Sequence, residues 1–189
     1  MIFSGLPGTG KSTLAAPLAS EFGWRLLPVD RLAEELPAGS DWGSIALWDG
    51  LIERLLTATE EQIRTGASVV VDSVFMNLDR FHAFRIAEEH GARFRPVHTF
   101  VSDEEVWRRR VTERYLASDP ADGVASWERI QTQRLGFREW EPHTALFVDA
   151  VRPVAANHAT VRAFVTDSDP QLRPLAAMGF TPGRYHAEH

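Results

Sequence analysis

The sequence predicts an α/β fold of three layers, with one parallel sheet covered by helices on both faces. Three observations predict it. Short apolar runs alternate with stretches of helical periodicity. A glycine-rich loop of phosphate-binding form stands between the first apolar run and the first helical stretch. The run Ser68-Val-Val-Val-Asp72 is apolar at consecutive positions, as suits a strand buried on both sides.

Ile2-Phe3-Ser4 is the first predicted strand. It has almost no residues before it, although such a strand belongs centrally in a parallel sheet. That suggests a native start a few residues upstream of Met1. A helix over Lys11–Phe22 follows, with Leu14, Leu18 and Phe22 at helical spacing and Gly23 closing it at C′. Pro17 inside it removes a backbone donor and is expected to kink it. Residues 25–30 read as a second strand, with Pro28 pointing to a sheet edge and Asp30 at the carboxyl end.

Residues 41–65 read as one amphipathic helix. Ile45, Trp48, Ile52, Leu55, Leu56, Thr59 and Ile63 share a face, and Gly66 ends it. After the strand at 68–72, Asn77 is expected to cap a helix running to His90 and closed by Gly91. Residues 97–101 form a fourth strand. Ser102 and Glu105 fit a capping box for a helix carrying Arg108, Arg109, Arg110 and Arg114. Residues 117–126 read as a loop or lid tip, 127–140 as a helix, 145–149 as a fifth strand and 154–165 as a final helix. There is no internal repeat. One domain over 1–168 is expected, with a lid at about 103–140 and a tail at 169–189 to which the sequence assigns no role.

Composition bounds the function. The chain has 189 residues, 44% of them hydrophobic, and no cysteine, so disulfides and thiolate metal sites are excluded. No apolar run approaches the ~18 residues of a membrane span, and nothing marks export. A cytoplasmic setting is expected. The net charge of −6 weighs against broad attraction to nucleic acid, without excluding it. Oligomeric state stays open.

The chemistry centres on Gly5-Leu-Pro-Gly-Thr-Gly-Lys-Ser-Thr13, which has the G-x-x-x-x-G-K-[ST] spacing of a Walker A loop. Gly5, Gly8, Thr9, Gly10, Lys11, Ser12 and Thr13 form the candidate nucleotide cradle. Backbone N–H groups turn inward as an anion nest. Lys11 reaches the β- and γ-phosphates, Ser12 offers its hydroxyl to Mg²⁺, and the helix adds its positive end.

Asp72, after three valines, has the form of a Walker B aspartate supporting Mg²⁺. Residue 73 is Ser, so the Asp-Glu pair of motor-type ATPases is missing. No Asn-Lys-x-Asp of a GTPase occurs. Asp30 is the candidate general base for an acceptor hydroxyl, or alternatively a cap for residues 31–36. Arg110 and Arg114 lie four apart on one helix face, and planar guanidinium forks suit the oxygens of a migrating phosphoryl group. The alternative is a solvated basic face. Arg152 follows the fifth strand, where nucleoside-kinase-like folds border the adenine. Trp42, Trp48, Trp127 and Trp140 could stack on a substrate ring. The histidines show no metal-ligand spacing.

With Asp30, Val69-Val-Val-Asp72, Arg80 and Arg110-x-x-x-Arg114 added to the loop, residues 1–165 resemble the zeta-toxin and polynucleotide-kinase-like P-loop kinases. Proteins of this kind are often labelled AAA-type ATP-binding proteins, although they lack the AAA+ helical lid domain. The resemblance implies a P-loop NTPase sandwich with strand order 2-3-1-4-5 and an arginine-bearing lid. It also implies Mg-ATP as donor and Asp30 as base. Polynucleotide kinases carry Asp-x-x-Arg, whereas Ala33 stands three residues after Asp30 here.

The expected function is therefore transfer of the γ-phosphoryl group of ATP to a hydroxyl of a small-molecule or nucleotide-like acceptor. The alternatives are a polynucleotide 5′-hydroxyl kinase and, from another class, a non-catalytic ATP-binding switch or toxin–antitoxin component.

Overall fold

The structure, a computed structural model, describes residues 1–168 apart from 38 and 120–122, together with Pro170 and Leu172. Part of the expected lid tip and most of the tail at 169–189 lie outside the described residues. Five parallel strands form one sheet: β1 (Ile2–Ser4), β2 (Arg25–Pro28), β3 (Val69–Asp72), β4 (Pro96–Phe100) and β5 (Leu146–Asp149). Their order is 2-3-1-4-5, as the resemblance implies.

The strands alternate with α1 (Lys11–Phe22), α2 (Val29–Ala33), α3 (Ile45–Arg64), α4 (Asn77–Glu89), α5 (Glu104–Ala117), α6 (Trp127–Gly136) and α7 (Val154–Thr166). Strand side chains point to opposite faces with period two, and the core divides accordingly. Ile2, Val69 and Val71 pack with Leu51, Leu55 and Phe75 on one face. Phe3, Val70, Val97 and Val148 pack with Leu14, Leu18 and Val161 on the other. Each fully buried leucine or valine contributes roughly 1.5–3 kcal/mol.

Parallel pairing brings the carboxyl ends of the strands to one edge. Ser4 lies opposite His98, Phe3 and Pro28 opposite Asp72, and Phe100 opposite Asp149. The P-loop, Asp72 and the turn after β5 therefore share that edge, where ligands of open α/β sheets bind.

Several expected boundaries shift for identifiable reasons. The second strand stops at Pro28, and the chain turns directly into α2, so Asp30 sits in a helical first turn rather than at a strand end. The long helix starts at Ile45, because Ser44 accepts from Leu47 N–H and fixes the cap. Ile45 is exposed there, and Leu51 takes a core position that the expected apolar face did not include.

Asn77 is not a cap. The Asp79 carboxylate accepts from Met76 N–H at 2.7 Å instead. Ser102 does not cap α5, since its hydroxyl donates to Asp149 at 2.6 Å; Asp103 accepts from Val106 N–H in its place. The helix at Trp127 ends at Gly136, short of the expected Trp140. Pro17 leaves α1 continuous.

Among the described residues, no helix is long and apolar enough to cross a membrane.

Candidate active site

The loop between β1 and α1 is shaped by close backbone approach. At Gly5, φ is +149°, and a Cβ would stand 2.3 Å from the Thr99 carbonyl oxygen. At Gly8, φ is +81°, and a Cβ would meet Val111 Cγ2 at 2.7 Å. Only glycine tolerates both the dihedral and the contact. Gly5→Ala is expected to lose about 2–4 kcal/mol of stability, because β4 backbone must move to admit the methyl group. Urea denaturation checks this; a loss below about 0.5 kcal/mol would contradict it.

Thr9 turns away from the mouth of the loop. It is buried, its hydroxyl donates to Leu6 O at 2.7 Å, and it lies 2.8 Å from the Thr99 hydroxyl. Its side chain braces the loop against β4. Ser12 and Thr13 start α1 on its exposed side. Lys11 Nζ curls back to donate to Leu6 O at 3.2 Å. Burial lowers the Lys11 pKa, against the opposing pull of Asp72 and Asp30, and Arg114 adds to the lowering. Lys11, Asp72, Asp30 and Arg114 therefore share one field.

Asp72 is 5% exposed. Burial raises its pKa, against Lys11 and a hydrogen bond from the Ser12 side chain. Mg²⁺ takes oxygen ligands, keeps several waters, and is usually held by one or two protein groups plus substrate phosphates. The Ser12 hydroxyl and the Asp72 carboxylate supply that kind of donor set beside the loop, so these residues fit the ion. Among the described residues, no cluster of three or more His, Cys, Asp or Glu could hold a metal alone.

The helix α5 lies against the loop. Trp107 Nε1 donates to Pro7 O at 2.8 Å, and Leu6, Trp107, Val111 and Ile130 make a small core between the loop, α5 and α6. Trp127 packs edge-on against Trp107 at 5.0 Å.

The two α5 arginines, Arg110 and Arg114, diverge. Arg114 reaches Asp30 at 3.7 Å, with both side chains more than half exposed. Arg110 donates to Ala150 O at 3.1 Å, in the turn that also carries the exposed Arg152. An exposed ion pair is worth at most about 1 kcal/mol, so a phosphoryl group can compete for Arg114.

Of the tryptophans considered for stacking, Trp127 and Trp140 are committed to packing. Trp42 is half-buried and pairs with Trp48, whose Nε1 donates to Trp42 O at 3.1 Å.

Sequence reasoning missed three supporting residues. Trp107 and Thr99 act across about a hundred positions in sequence, and no local pattern marks them. The third is His98, which lies beside Ser4 in the sheet register and stacks on Phe137 at 5.8 Å. Its burial, with Arg80 nearby, lowers its pKa to about 4 from 6.5.

The unfolded chain therefore binds the His98 proton first as pH falls. Stability is fully present above pH 6.5 and is lost towards pH 4. At about 1.4 kcal/mol per pH unit, the loss at pH 4 is about 3 kcal/mol. His98→Phe should flatten stability between pH 4 and 6.5, as urea titrations at several pH values would show. An unchanged slope would contradict the assignment.

Comparison with known proteins agrees with this architecture. The family model for the AAA domain matches residues 1–140. No curated protein sequence matches the chain. The APS kinase of Mycobacterium tuberculosis, solved with AMPPNP and APS, superposes with a TM-score of 0.63 at 21% identity, over 88% of this chain and 96% of that one. A gluconokinase from Sinorhizobium meliloti 1021 gives 0.59 at 19% identity, over 87% and 89%. Kti12 from Chaetomium thermophilum, solved with ADP-AlF3, gives 0.62 at 15% identity, over 87% and 96%.

At these identities the likeness is one of fold. The family match is broader than the zeta-toxin group and spans 140 of the 189 residues. The chain belongs to the AAA domain family.

Proposed function

We propose that this protein is an ATP-dependent kinase acting on a hydroxyl of a small-molecule or nucleotide-like acceptor. The observation that carries the reading is the convergence of Lys11, Asp72, Asp30 and Arg114 at the carboxyl edge of the sheet. A nucleotide-binding module needs the first two; it needs neither a carboxylate poised beyond the loop nor a lid arginine facing it. The AMPPNP and ADP-AlF3 held by similar structures support ATP as the donor, and the gluconokinase and APS kinase support a small acceptor. A cytoplasmic setting fits a chain without cysteines.

In this reading the loop amides of residues 8–12 cradle the phosphates, and Lys11 leaves Leu6 O to meet their oxygens. Mg²⁺, when bound beside Ser12 and Asp72, neutralises charge on the phosphates. Asp30 orients the acceptor hydroxyl and takes its proton as the new O–P bond forms and the bond from the γ-phosphorus to the β–γ bridging oxygen breaks. Arg114 moves from Asp30 to the equatorial oxygens of the migrating group, which frees the carboxylate as it stabilises the charge. Arg110 and Arg152 border the nucleotide from the turn after β5.

ADP release measured against sugars, sugar acids, nucleosides, sugar nucleotides, aminoglycosides and a 5′-hydroxyl oligonucleotide tests the proposal. Stimulation by one small-molecule class is expected. Stimulation by the oligonucleotide alone would establish the polynucleotide kinase instead, and tight ATP binding with no transfer to any acceptor would favour the switch.

A further inference from the structure

We propose that Arg80 is a positioning residue that couples the lid to the Asp72 carboxylate. The inference rests on the proposed role of Ser12 and Asp72 as oxygen ligands. Arg80 lies in the first turn of α4 and is 6% exposed. Its Nε donates to Phe75 O at 2.9 Å. Its guanidinium lies 4.6 Å from the ring centre of Phe137 and 4.9 Å from that of Trp140. Nη2 is buried without a hydrogen-bond partner among the described residues. Asp79 acts on it electrostatically, but that carboxylate is committed to Met76 N–H.

A buried guanidinium without a carboxylate partner is costly, and an apolar side chain of similar volume would pack at least as well. Arginine differs in presenting a rigid planar fork to several elements at once. Phe137 and Trp140 belong to the segment that returns from α6 to β5, so Arg80 holds the C-terminal root of the lid. Phe75 lies three residues after Asp72, and its φ of +50° is strained for a side-chain-bearing residue. Next to it, Val74 O accepts from Ser4 Oγ at 2.9 Å and from Gly5 N–H at 3.3 Å. One guanidinium thus joins the lid root to the turn that follows Asp72, and that turn is tied to the P-loop. Displacement of the 137–140 segment moves the Phe75 carbonyl, and with it the exit of β3 that aims Asp72.

The test compares two equilibria by calorimetry: the Mg²⁺ concentration that half-saturates AMPPNP binding, and ADP binding without Mg²⁺. Arg80→Met is expected to raise the Mg²⁺ half-saturation about tenfold, with Mg²⁺-free ADP affinity changed less than about twofold. A core residue with no positioning role would shift both equilibria by the same factor, or shift the melting temperature alone; either result overturns the proposal.

Should Arg80→Met fail to melt cooperatively, Phe137→Leu removes one stacked ring and leaves Arg80 on Phe75 O. It should raise the Mg²⁺ requirement about threefold, a shift of about 0.6 kcal/mol within the range of coupling energies. An unchanged requirement there also overturns the proposal. A wild-type protein that binds neither AMPPNP nor ADP would instead sink the reading of the site as a nucleotide site, and the coupling with it.

Discussion

Asp30→Asn is expected to lower phosphoryl transfer by about a thousandfold while leaving ATP affinity within about twofold, in line with the 10²–10⁴ that a positioned general base supplies. Asparagine keeps the shape of the side chain and one acceptor oxygen, so the acceptor hydroxyl can still be held. It cannot take the proton. The donor side should be indifferent, since Asp30 projects from α2 and touches Arg114 rather than the loop. Arg114 also loses an ionic partner, which leaves it freer for phosphate and works against any loss of ATP affinity. Single-turnover transfer from labelled ATP and calorimetric ATP binding give the two numbers. Lost ATP affinity with transfer retained would overturn the assignment.

Lys11→Ala should lower ATP affinity and turnover together, each by about a hundredfold or more, the scale of removing one charged donor from developing phosphate charge. Lys11 differs from Asp30 in lying inside the cradle, so both ground and transition states lose it. Its effect on stability should be small, because two costs oppose each other. Burial disfavours the charged lysine, and its removal relieves that cost. Asp72, whose pKa burial raises, loses a cation that opposes the rise. A melting temperature within a few degrees of wild type alongside lost ATP binding would match the account. Retained ATP affinity would contradict it.

The pair of variants separates donor from acceptor chemistry, and the same division governs what could be read from the chain. The P-loop was legible because its requirements are local. Gly5, Gly8, Gly10, Lys11 and Ser12 sit within eight residues, and strand and helix flank them. The alternation of strands and helices was equally legible, from the consecutive valines at 69–71 and the periodicity of α3. Strand order came only with the resemblance to P-loop kinases, since no local pattern encodes which strand neighbours which.

Boundaries failed where a tertiary partner overrode a local signal. Ser102 fits a cap, but Asp149 takes its hydroxyl from 47 positions away. Asp30 is expected at the end of a strand, but Pro28 ends β2 two residues before it and Asp30 falls in α2. Arg110 and Arg114 were expected to share a task from their shared helix face. The structure sends one to Ala150 O and the other to Asp30, a divergence set by what surrounds the helix. The burial of Arg80 between two rings 57 and 60 positions away was beyond any periodicity.

The central claim is that Asp30 and Arg114 make this nucleotide site a transferase site. The most direct measurement incubates the protein with γ-labelled ATP and a mixed pool of small hydroxyl metabolites, and then follows the label. The account predicts label in a phosphomonoester of one acceptor, with ADP formed in equal amount and both products lost in Asp30→Asn. Label that stays in ATP, or that appears only as inorganic phosphate and persists in Asp30→Asn, would contradict it.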